Sequence, residues 1–171
     1  MIIDNHINKD NWGEIKDILL DITEIKSLSL YNMGLTEFPK MSHITINGNF
    51  YCCSNKITSF KDCPPIINGN FNCSLNKIIS FKDCPSIING NFWCYDNPIT
   101  SFKDCPEIGG YLYSEIVIFF KVHKYSKEKK ISLLEAQVEL YNQQDDEILK
   151  HIDKFPDLVA YIRMKELSKL L

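Results

Sequence analysis

The pentapeptide Ile46-Asn47-Gly48-Asn49-Phe50 returns as Ile67-Asn68-Gly69-Asn70-Phe71 and again as Ile88-Asn89-Gly90-Asn91-Phe92, a spacing of 21 residues with no insertion. Each copy then passes through a cysteine (Cys52, Cys73, Cys94), an asparagine (Asn55, Asn76, Asn97) and an isoleucine (Ile57, Ile78, Ile99). All three close on the same hexapeptide, Ser-Phe-Lys-Asp-Cys-Pro, at residues 59–64, 80–85 and 101–106. A fixed period of this length overrides local propensity, because a unit of about 20 residues has one apolar side and hides it only by stacking on its neighbours. The chain is therefore expected to be a solenoid.

Within the period the frame is Phe-x-Cys-x-x-Asn-x-Ile-x-x-Phe. It resembles the leucine-rich-repeat core, with Phe and Cys standing for leucines, over residues 25–114. Ile25, Leu28, Leu30, Leu35, Phe38 and Pro39 continue it upstream, with Met33 at the Asn position, and residues 110–114 form a worn copy with one residue lost. The resemblance implies an α+β fold: a short leucine-rich-repeat-like solenoid of about five rungs with short parallel strands, a helical N-terminal cap over residues 1–24 and a helical segment over residues 115–171. The short, Cys-containing frame is also similar to repeats of bacteriophage and giant-virus proteins. Abundant Ile, Asn and Lys, with Arg163 the only arginine among 19 basic residues, agrees with an AT-rich source.

Alternation along a strand sends Phe50 and Cys52 inward and Tyr51 outward, and the next copies repeat this with Phe71, Cys73 and Asn72, then Phe92, Cys94 and Trp93. Each buried ring or isoleucine contributes on the order of 1.5–3 kcal/mol before entropy is counted. Asn-Gly at 47–48, 68–69 and 89–90 reads as the turn into each strand, with glycine supplying positive φ. Asn55, Asn76 and Asn97 are expected to bond the backbone of neighbouring coils from inside.

Six of the seven cysteines fall at 52, 63, 73, 84, 94 and 105, two core rows per coil. No C-x-x-C pair of the kind that holds zinc is present, and reduced Cys packs as a small hydrophobe. Cys53 breaks the row and is expected to be the exposed, titratable thiol. His6, His43, His123 and His151 lie outside the regular copies, without partners at metal or triad spacing, and read as exposed or satisfied. No glycine-rich phosphate loop occurs. The expectation is a chain that is not an enzyme and carries no cofactor, metal or catalytic residue.

Positions that vary among otherwise identical coils are not set by packing. The first outward row reads Ser29, Tyr51, Asn72, Trp93 and Tyr113; the second Tyr31, Cys53, Ser74, Tyr95 and Glu115; the third Asn32, Ser54, Leu75, Asp96 and Ile116. These rows should line a concave strand face. Tyr and Trp dominate interface hot spots, so partner binding is assigned to Tyr31, Tyr51, Asn72, Trp93, Tyr95, Asp96 and Tyr113. The unvarying Lys61-Asp62, Lys82-Asp83 and Lys103-Asp104 read as a solvated outer row with weak pairing.

Both flanks carry helical patterns. Ile15, Ile18, Leu19 and Ile22 recur at helical spacing after Asp10-Asn11. Beyond Ser114 an apolar stretch over residues 116–122 leads to a charged turn over 127–130, and Ser132 with Glu135 makes a capping box. Further helices are expected over 145–154 and 156–171, the latter opening on Pro156.

The formal charge of −3 is spread along the chain, with no basic block suited to nucleic acid. The N-terminus lacks the charged and apolar regions of a secretory signal, and the longest apolar run is too short for a bilayer. These features point to a soluble, cytoplasmic protein, in the host cytosol if viral. The resulting expectation is a non-catalytic protein-binding module, a viral or phage factor that engages and inhibits a host protein through its aromatic face, its C-terminal helices or both. The first alternative is an assembly component that forms homo-oligomers through those helices. The second, an effector-type ubiquitin ligase, lacks a cysteine nucleophile after Cys105.

Overall fold

The computed structural model describes residues 12–114 and 117–168, and in it the period becomes a parallel-strand solenoid of about four turns flanked by helices. Each coil contributes two short strands rather than one. The first sheet stacks β1 (Glu24–Ile25), β3 (Thr45–Ile46), β5 (Ile66–Ile67), β7 (Ile87–Ile88) and β9 (Glu107–Ile108). The second stacks β2 (Leu28–Ser29), β4 (Phe50–Tyr51), β6 (Phe71–Asn72), β8 (Phe92–Trp93) and β10 (Leu112–Tyr113). Register pairs Phe50 with Phe71 and Phe71 with Phe92, then Phe92 with Leu112, so the worn last copy keeps its place in the stack one residue short.

The Asn-Gly-Asn segment is the corner between the two sheets, and its glycines do not have positive φ. Among the described glycines only Gly34, at +73°, does. Glycine is needed at the corner because the coils touch there: a Cβ on Gly69 would stand 2.5 Å from the carbonyl carbon and oxygen of Gly48. That contact lets the amides of Gly69 and Gly90 donate to the carbonyls of Gly48 and Gly69, each at 2.9 Å. The expected turn conformation is thus replaced by close backbone approach.

Left-handed backbone appears elsewhere. Asp62, Asp83 and Asp104 have φ of 65°, 61° and 60°, and Asn32, Ser54, Leu75 and Asp96 take the same region after the second strand. Asp tolerates this conformation better than most residues, which explains why Lys-Asp repeats unchanged. Among the described residues, Lys61, Lys82 and Lys103 form no ion pair with these aspartates, so the expected weak pairing is not found.

The core is a set of ladders. Phe50, Phe71 and Phe92 stack with centroids 5.3 and 5.1 Å apart and planes within 11° of parallel, and Phe60 and Phe81 pack obliquely against them. Cys52, Cys73 and Cys94 form a buried row, with Cys63 buried and Cys84 and Cys105 partly buried in the second; all are free thiols. Asn76 spans two coils, its amide donating to the carbonyls of Cys73 (2.9 Å) and Cys52 (3.0 Å) and its Oδ1 accepting from the Ile57 amide (2.9 Å). Asn97 repeats this with Cys94, Cys73 and Ile78, and Asn55 with Cys52, Leu30 and Leu35. The inward role expected of these asparagines is what the structure has.

At the start, α1 (Trp12–Ile18) leads to Leu19, which is fully buried, while Ile15 and Ile22 pack partly buried against the core. Asp10 and Asn11 lie outside the described residues. At the other end α2 (Val117–Lys129) runs through what reads in sequence as a charged turn, because Lys130, at φ 56°, is where the backbone leaves the helix. Ser132 and Glu135 make the capping box that opens α3 (Leu133–Asn142). The single helix expected over 145–154 is α4 (Asp146–Lys150) followed by a 3-10 turn at Ile152–Lys154, and α5 (Pro156–Leu167) begins on its proline. The bundle docks on the last coil through Phe102, Phe119 and Phe155, with centroids 4.8 to 5.8 Å apart, and through the Phe102 amide, which donates to the Lys154 carbonyl at 2.9 Å.

Candidate functional site: the second sheet's outer face

Parallel pairing places Ser29, Tyr51, Asn72, Trp93 and Tyr113 in one row, residue opposite residue, as the period requires. Their inward neighbours Leu28, Phe50, Phe71, Phe92 and Leu112 are buried, so the row must face out. Trp93 and Tyr113 stack with centroids 5.4 Å apart and planes within 7°, while Tyr51 is set apart from them by the shorter Asn72. The Asn72 carboxamide oxygen accepts from the Ser74 amide at 3.0 Å, a local turn contact that holds this side chain against its own coil.

The second row departs from its uniform outward reading. Tyr31 is 59% exposed and Tyr95 39%, but Ser74 is fully buried with no partner for its hydroxyl, and Cys53 is half-buried. Cys53 is therefore not the open thiol expected; burial raises its pKa above the ordinary thiol value, against a smaller opposing backbone hydrogen bond. In the third row Asp96 is exposed, and its left-handed φ of 53° ties it to the backbone turn. Glu115 and Ile116, which end these rows, lie outside the described residues.

The seven assigned residues thus form two groups, Tyr31 and Tyr51 toward the first coil, and Trp93, Tyr95, Asp96 and Tyr113 toward the last, with Asn72 between. The second group is larger than the sequence reading made it. Phe120 of α2 lies 6.1 Å from Tyr113 and 6.3 Å from the exposed Tyr111, carrying the aromatic surface from the sheet onto the helical segment. The alternation Tyr111-Leu112-Tyr113 was a signal for Tyr111. None existed for Phe120, whose place depends on how α2 packs.

The remaining thiols are chemically quiet. Burial pushes the pKa values of Cys52, Cys63, Cys73, Cys84 and Cys105 well up, with neighbouring cysteines adding to the effect, and that of Cys94 to about 12. Histidines divide three ways. His43 Nε2 meets the Leu19 carbonyl at 3.1 Å and His151 lies 3.9 Å from Glu147. His123 is neither exposed nor satisfied: it is 2% exposed, its Nδ1 has no partner, and burial, with a smaller contribution from Lys127, lowers its pKa to about 4. His6 lies outside the described residues.

Among the described residues no helix is long and apolar enough to cross a membrane, and no group of three or more His, Cys, Asp or Glu is arranged to hold a metal ion. Comparison of the chain with family models, with curated proteins and with solved structures finds no match.

Proposed function

We propose that the chain is a non-catalytic protein-binding module whose contact surface is the outer face of the second sheet, centred on Trp93 and Tyr113. The observation that carries this reading is the stacked, solvent-facing aromatic pair at positions where otherwise identical coils differ, extended by Tyr95, Tyr111 and Phe120. Rigid rings held by strand pairing lose little conformational entropy when a partner covers them. The similarity of the repeat frame to viral and phage repeats, with the Lys, Ile and Asn bias, supports a factor that acts in the host cytoplasm by engaging and inhibiting a host protein.

The test is affinity capture from the natural host, comparing the native chain with Tyr51→Ala/Trp93→Ala. The double variant should keep its circular dichroism spectrum and lose the partner. Equal recovery of that partner would place the contact elsewhere.

A second reading has its own observation. On α5, Tyr161, Met164 and Leu167 are 39%, 72% and 63% exposed at i, i+3 and i+6, an apolar strip suited to self-association. Under this reading the chain is an assembly component, and light scattering should show a concentration-dependent oligomer that Met164→Glu/Leu167→Glu abolishes.

A further inference from the structure

The junction between the last coil and the helical segment forms an open cleft of about 560 Å³ that belongs to neither surface described above. One wall is the end of the first sheet, at Glu107 and Ile108; the other is α2 and the start of α3. His123, Lys127 and Lys130 line it from α2 at i, i+4 and i+7, a spacing that puts all three on one side of the helix. Ile108, Ile131 and Leu133 supply an apolar lining.

Hydrogen bonding shows which polar groups are free to meet a ligand. The Ser126 hydroxyl donates to the Ile131 carbonyl at 2.6 Å, and the Ser132 hydroxyl and amide are both engaged with Glu135 in the capping box. Among the described residues Lys127 and Lys130 enter no ion pair, whereas Lys121 and Lys124 of the same helix pair with Asp145 and Glu128. His123 is almost wholly buried with an orphan Nδ1, which a protein interior tolerates only at a cost. Two cations without ion pairs and an imidazole whose Nδ1 has no partner thus line one opening, with Glu107 the one carboxylate among the lining residues.

We infer that this cleft is a binding site for a small organic anion, a carboxylate or phosphate group held by Lys127, Lys130 and His123, with the organic body against Ile108, Ile131 and Leu133. The imidazole is neutral at pH 7 and donates through a ring N–H, and the two ammonium groups supply the charge.

The test uses the full chain and two probes, inorganic phosphate and succinate, with sodium chloride at matched ionic strength as control. The reporter is the ring Cε1 proton resonance of His123, assigned by its loss in His123→Gln. A saturable shift at millimolar phosphate or succinate, absent with chloride, is expected; which probe binds tells the phosphate from the carboxylate source. Both lysines are exposed, so Lys127→Ala/Lys130→Ala keeps the fold, and the affinity should fall about tenfold or more. No saturable shift with either probe, a shift reproduced by chloride, or one unchanged in the double variant would overturn the inference.

Discussion

The indole of Trp93 lies face to face with the phenol ring of Tyr113, 5.4 Å between centroids and 7° from parallel, because their strands pair in register one coil apart. Stacking here runs along the solenoid axis, so the pair presents ring edges outward and supports itself before any partner arrives. Tyr113→Ala should therefore free Trp93. In a Trp12→Phe background, acrylamide quenching of the remaining tryptophan should rise, and stability should fall by about 0.5–1.5 kcal/mol beyond the area lost. Unchanged quenching would mean the stack does not hold the indole.

Asn76 ties its own coil to the one before it through two buried hydrogen bonds, to Cys52 and Ile57, and holds the Cys73 carbonyl of its own coil with a third. Asn76→Ala orphans the Ile57 amide and takes one of two asparagine donors from each of the Cys52 and Cys73 carbonyls, which keep Asn55 and Asn97, so urea unfolding should show a loss of about 1–3 kcal/mol. Asn76→Met should be as damaging, although Met33 occupies the equivalent place in the first coil without harm. Among the described residues no coil precedes that one, and the carbonyl Met33 leaves unserved, that of Leu30, is bonded by Asn55 instead.

Gly69 and Gly34 separate two reasons for glycine. Gly69→Ala drives a methyl into the Gly48 backbone and should cost at least about 2 kcal/mol by thermal unfolding, since neither coil can move without breaking its ladder. Gly34 has open space around its Cβ position but a φ of +73°, so Gly34→Ala should cost only about 1 kcal/mol.

Leu75 is 48% exposed and held at φ 57°, where its counterparts are Asn32, Ser54 and Asp96. Leu75→Asn should raise stability by about 0.5–1 kcal/mol, because Asn enters the left-handed region at lower cost and little burial is lost. An unchanged or lower urea midpoint would show that Leu75 packs more than its exposure indicates.

Stability should decline as pH falls from 6.5 toward 4. In the unfolded chain His123 takes up its proton near pH 6.5, while in the folded chain burial delays this to about 4, so across that window the unfolded state binds more protons and gains on the native state. The loss by pH 4 is on the order of 1–3 kcal/mol. His123→Gln should flatten the upper part of this profile. The carboxylates with lowered pKa, chiefly Asp145 through its Lys121 hydrogen bond and Glu135 through the Ser132 amide, act in a separate window at lower pH.

The period determined the solenoid, the in-register rows and the buried Phe, Cys and Asn ladders, and the local Ser132-to-Glu135 spacing determined the capping box, because each depends on spacing along the chain or on contacts between identical neighbours. Copies that differ by 21 residues must place like atoms over like, so the outward row through Tyr51 and Trp93 was legible before any coordinate. Tertiary structure decided what happens where the period meets something unlike itself. The glycines of the corner answer to the backbone of the neighbouring coil rather than to their own φ, and Ser74 and Cys53 sink in a row where the longer Tyr31 and Tyr95 reach solvent. Phe120 joins the aromatic face, and His123 is stranded beside a cleft, only because α2 packs across the last coil. Those outcomes depend on contacts between segments that share no pattern, and no repeat within one chain encodes them.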